Sequence, residues 1–132
     1  MPAPASNPPG LILVAHGSPD PDWRRPLEQL HARLSAQLGD HVYLAYLVQA
    51  PSVETCVREL SQRGYRRVHV MAALLSPGGR HVKLDIPEAV GTAEGAHPEV
   101  RIELVPGSLG DDAGVIEALA AAAIARLPRS RR

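Results

Sequence analysis

The chain has 132 residues, with 14 basic and 14 acidic side chains and a formal net charge of zero. That length suits one domain with a real core. Zero net charge supplies no general field toward nucleic acid or a membrane surface. One Trp, three Tyr and no Phe leave little aromatic surface for stacking bases. Cys56 is the single cysteine. An intrachain disulfide and a thiolate metal cluster within one chain are therefore excluded, and a reducing compartment fits.

Residues 1–10 are proline-rich and read as a disordered leader. The apolar run at 11–15 suits a strand buried on both faces. It is too short for a signal-peptide core or a membrane span, so the chain reads as soluble and cytoplasmic. Leu27, Leu30, Leu34 and Leu38 fall at helical spacing. They predict a helix over 22–38, with Pro26 in its first turn and Gly39 as its stop. Residues 42–48 form the second strand. Ser52 caps a helix whose inner face is Val53, Cys56, Val57 and Leu60, closed by Gly64.

Residues 68–75 give a third strand, ended by the turn Ser76-Pro77-Gly78-Gly79. A helix follows over 82–94, irregular near Pro87. The alternation of Val100, Ile102 and Leu104 gives a fourth strand over 100–105, and 106–110 is a loop. Asp111 or Asp112 caps the last helix, with Val115, Ile116, Leu119, Ala122 and Ala123 as its buried face.

Four strand-then-helix repeats with short connections predict an α/β fold. Its four-stranded parallel sheet carries helices on both faces and right-handed crossovers. The expected strand order is 2-1-3-4, in a single domain over 11–127 followed by a basic tail at 128–132. Strands 1 and 3 are then neighbours, and the chain changes direction between them. Ligands bind at such a switch point, outside the carboxyl ends of the strands.

Six histidines are present. His31, His41 and His97 read as surface residues and His69 as a satisfied strand residue. His16 and His81 differ, because each follows a buried strand beside a glycine-containing loop. Imidazole exchanges protons near neutral pH and ligates cobalt, nickel, iron and zinc. Asp85 lies one helical turn beyond His81, where a carboxylate can orient the ring or simply cap the helix. No nucleotide-binding P-loop, dinucleotide fingerprint, zinc-protease motif or serine-hydrolase elbow occurs. The Ser76–Gly79 turn could offer backbone N–H groups to an anion, which leaves open a flavodoxin-like module for a phosphorylated ligand.

His16-Gly17-Ser18 after the first strand resembles the H-G-S start of the small CbiX/SirB-type chelatases. Gly79-Arg80-His81-Val82-Lys83-Leu84-Asp85-Ile86-Pro87 resembles their second signature, G-x-H-x-x-x-D-[IL]-P, and Ala50-Pro51-Ser52 also matches. The resemblance spans roughly residues 11–127. It implies a class II chelatase fold and insertion of a divalent metal into sirohydrochlorin. Cobalt is preferred, iron and nickel are alternatives, and no cofactor is held permanently. Carried over, His16 and His81 bind the metal, accept pyrrole protons, or both. The resemblance also implies a homodimer of single-half chains.

Ser18, Ser76, Gly78 and Gly79, with the cations Arg80 and Lys83, are the candidates for holding the carboxylate-rich substrate. Arg24 and Arg25 are weaker ones. One departure stands out. Many relatives carry glutamate where this chain has Gln49, and an amide cannot act as a base. A relative disabled at Gln49, binding metal or tetrapyrrole without turnover, is the competing reading.

Overall fold

The computed structural model describes residues 8–73, 75, 79 and 81–128, with backbone alone at positions 81 and 82. Four parallel strands lie in the order β2-β1-β3-β4, as the repeat pattern predicts. They are β1 (Gly10–Ala15), β2 (Val42–Tyr46), β3 (Arg67–Ala72) and β4 (Arg101–Ser108). The helices are α1 (Pro21–Leu38), α2 (Val53–Gln62), α3 (Ile86–Ala96) and α4 (Ala113–Arg126). A π turn at His81–Asp85 leads into α3, and a 3₁₀ turn at Leu109–Asp111 leads into α4. Gly10 is already in the sheet, so β1 begins one residue before the expected 11; residues 1–7 of the segment read as a leader and 129–132 of the basic tail lie outside the described residues.

One face of the sheet carries the core. Ile12, Val14, Val68 and Val70 are fully buried there against α2 and α3. In α2, Val53, Cys56, Val57 and Leu60 recur at i, i+3, i+4 and i+7 and all point inward. The Ser52 side chain accepts from the Thr55 N–H at 3.1 Å and starts the helix. Burying each such aliphatic side chain contributes about 1.5–3 kcal/mol. Ile86, Val90 and Ala93 do the same from α3. Gly10 matters here, because a Cβ on it would stand 2.8 Å from Leu60 Cδ1.

Several boundaries differ from the sequence expectation. β2 stops at Tyr46 rather than 48, because the Leu47 and Val48 amides turn to the His16 carbonyl, both at 3.0 Å. β3 stops at Ala72 rather than 75. β4 instead runs on through Pro106 and Gly107, which were expected in a loop. It is an edge strand, where a proline's missing donor is tolerated, and Gly107 at φ 76° permits the register shift opposite Met71. Leu104, in register opposite Val70 and on the same face as Ile102, stays 36% exposed. Pro26 lies in the second turn of α1, not the first, since Asp20 caps the helix and Pro21 opens it. The irregularity before Pro87 takes the form of the π turn, whose wider winding suits a residue with no N–H to donate backward.

The largest correction concerns α4. Its expected inner face is not buried: Ile116 is 51% and Leu119 47% exposed, and no residue of the helix is buried. Two histidines are corrected the other way. His41 is buried and stacked on Tyr65. His97 is mostly enclosed, with Nε2 2.6 Å from Glu54 Oε2, and so ties the end of α3 to α2. His31 Nε2 donates to the Val42 carbonyl at 2.7 Å and anchors α1 to the start of β2.

Candidate active site

All four strands end at the same rim, because the sheet is parallel. β1 and β3 are neighbours, with Val14 opposite Ala72, so the turns following both strands start side by side. His16 leaves β1 at this rim and is half-buried. Its Nδ1 lies 3.0 Å from the Gly17 carbonyl oxygen. A carbonyl only accepts, so Nδ1–H is the donor in this contact. With Nδ1 so engaged, Nε2 is the ring nitrogen that could hold a metal or take a proton.

Gly17 stands at φ 113°, a conformation that favours glycine. A Cβ there would also meet Gln49 Oε1 and Val48 Cγ2, each at 3.0 Å. The His16–Gly17 turn and the end of β2 are therefore packed together, with the Gln49 amide at their contact. After Gln49 comes a cis Ala50–Pro51 bond, and the Pro51 carbonyl accepts from the Tyr46 N–H at 2.9 Å.

A crevice of about 260 Å³ opens beside this contact, lined by Leu47, Val48, Asp85, Glu88, Ala89 and Thr92. Its second wall is one stripe of the π turn and α3. Asp85 stands at the start of α3 in a helical conformation and makes no side-chain capping bond. Its alternative reading as a cap is therefore not what the structure shows; it lines the crevice instead. Glu88 and Thr92 were missed by sequence reasoning. Their signal was available, since 85, 88 and 92 continue one helical face.

Other candidates separate. Ser18 Oγ accepts from the Asp20 N–H at 3.1 Å and shapes the entry to α1. The Ser18 carbonyl accepts from Arg24 at 2.8 Å, and Arg24 also reaches Glu28. Arg25 pairs with Asp22. Lys83 is exposed on the π turn and Gly79 is exposed at φ 83°. Ser76, Gly78, Arg80 and the side chain of His81 lie outside the described residues, and with them most of the anion-binding turn. Among the described residues, no three His, Cys, Asp or Glu side chains form a group that could hold a metal ion. Burial, with Glu59 nearby, pushes the Cys56 thiol up to about 12, so it is a packing residue rather than a ligand.

The family model for CbiX matches residues 10–125, nearly the whole chain. This chain belongs to the CbiX family. Solved structures agree with that placement. A putative cobalamin biosynthesis CbiX protein from Marinobacter aquaeolei VT8 is 29% identical with a TM-score of 0.78, over 93% of this chain and 100% of that one. The sirohydrochlorin chelatase SirB from Bacillus subtilis subspecies spizizenii, in complex with cobalt, is 25% identical with a TM-score of 0.75, over 88% of this chain and 50% of that one. SirB from Bacillus subtilis with Fe³⁺ gives 25% and 0.75 over 89% of this chain and 47% of that one. This CbiX-family chain thus spans about half the length of the SirB chains. No match is found among curated proteins. The four-stranded 2-1-3-4 sheet is the fold these structures share with it.

Proposed function

We propose that this chain inserts a divalent metal into sirohydrochlorin, working as a homodimer, with cobalt as the preferred metal. The observation that carries the reading is His16. It follows β1 at the switch between β1 and β3, in a CbiX-family fold, with Nδ1–H donated to the Gly17 carbonyl. Metallation removes two protons from pyrrole nitrogens while a cation sheds water. A neutral imidazole can hold that cation and accept a proton at neutral pH. In this reading His81 is the second such group. Asp85 and Glu88 place carboxylates along the crevice, where they attract the cation and receive protons. Lys83, with Arg80 and Ser76, Gly78 and Gly79, anchors the substrate carboxylates.

Gln49 favours a second reading, a metal- or tetrapyrrole-binding protein without turnover. Its amide abuts the His16–Gly17 turn and brings no base there.

The deciding experiment follows the absorption of sirohydrochlorin with Co²⁺, Fe²⁺ or Ni²⁺, with and without protein. Acceleration is expected for cobalt first, and His16→Ala should lower it by 100-fold or more, on the order of general acid–base contributions, with unfolding unchanged. No acceleration with any metal overturns the chelatase reading. Tight binding without turnover selects the second.

A further inference from the structure

The chain holds one tryptophan and no phenylalanine. That indole, Trp23, stands in the first turn of α1 and keeps 38% of its surface exposed. One side of it rests against Tyr46, with ring centroids 6.4 Å apart and the rings tilted by 48°, a favourable aromatic arrangement. Tyr46 is buried and ends β2, in register with Ala15, the residue before His16. Leu47 and Val48, which follow it, give their amides to the His16 carbonyl. Arg24, beside Trp23 in the chain, donates to the Ser18 carbonyl at 2.8 Å. The indole is thus tied from two sides to the turn that carries His16.

It approaches that turn from the side away from the crevice. Val14 and Ala45 face the core beneath α2 and α3. Strand alternation puts their neighbours Ala15 and Tyr46 on the other face, where α1 lies. The two flanks of the rim therefore differ in chemistry. On the α3 side, Asp85 and Glu88 line the crevice and no cation does. That flank suits a metal cation and repels a molecule rich in carboxylates. On the α1 side, Arg24 pairs with Glu28 and Arg25 with Asp22, so the charge beside the indole is balanced. What this flank offers is an open aromatic face. An aliphatic side chain would cover Tyr46 as well; only a ring can also stack on a flat conjugated ligand.

We propose that Trp23 binds the tetrapyrrole. Its indole stacks on a conjugated ring at the edge of the macrocycle, while His16 faces the centre and the metal arrives from the α3 side. The spacing of the strands allows it. From the end of β2, beside Trp23, across β1 to the end of β3 is two strand spacings, about 10 Å. That is comparable to the breadth of a tetrapyrrole core. The macrocycle then rests on Trp23 at one edge and reaches the π turn with Lys83 at the other. The inference rests on the reading of this rim as a sirohydrochlorin site, and adds the residue that holds the edge of the substrate.

The test is equilibrium dialysis of metal-free sirohydrochlorin against the full chain and three variants. Trp23→Ala should weaken binding about tenfold or more, as loss of a stacked aromatic anchor does. Trp23→Leu should bind nearly as poorly, although it covers Tyr46 again, and Trp23→Phe should recover most of the affinity. In turnover, KM for the tetrapyrrole should rise with the loss of binding while kcat stays within about threefold. Binding of Co²⁺ alone should not change. Parent-like affinity in Trp23→Ala, or full recovery in Trp23→Leu, overturns the proposal, the second by assigning the indole to packing over Tyr46. If Trp23→Ala does not fold, the Leu and Phe variants decide by the same comparison. A parent chain that binds no sirohydrochlorin overturns the site reading together with this inference. A parent chain that binds it without turnover, and loses it in Trp23→Leu, upholds the inference while the chelatase reading fails.

Discussion

The two faces of the sheet are built from the same strands and end up in opposite states. The inner side is closed by α2 and α3, which bury side chains at helical spacing and are tied together by His97–Glu54 and Ser61–Glu99. The outer side has α1 packed chiefly on β2, while α4 stands off. An apolar helix is thus present in the chain without contributing to its core. The closed side also holds β1 and β3 in register under the site.

The contrast predicts unequal sensitivities. Leu60→Ala, on the closed side, should cost about 2–5 kcal/mol in denaturant unfolding, because a fully enclosed aliphatic leaves a cavity. An effect under about 1 kcal/mol would break the picture of a one-sided core. At the rim, Gly17→Ala should cost about 1–3 kcal/mol, since φ 113° is strained for alanine and Gln49 and Val48 crowd the new methyl. Turnover should fall with it, because the same turn aims His16. Leu119→Ala, on the open side, should change the unfolding of the dilute chain by less than about 0.5 kcal/mol.

A good part of the fold was legible in the chain. The strand order followed from four strand–helix repeats, and Ser52 and α2 from a local cap and a local stripe. His16 was legible as a rim residue for the same reason, since it directly follows an all-apolar strand. The crevice was only half legible. Asp85 stood out beside a histidine, whereas Glu88 and Thr92 gain meaning only once α3 faces the end of β2. The assignment of Gln49 to the same neighbourhood rested on the resemblance to chelatases; its contact with Gly17 is a matter of folded geometry.

What the sequence by itself determined is therefore the set of elements and their order, because periodicity, caps and glycine turns act over a few residues. Tertiary structure decided where β2 and β4 stop, which histidines are enclosed, and what α4 covers. Strand ends depend on which carbonyl an amide meets, as Leu47 and Val48 meet that of His16. His41 is buried with the ring of Tyr65, from the turn after α2, stacked on it. The stripe of α4 states that the helix must be covered, but an apolar surface does not specify whose sheet covers it.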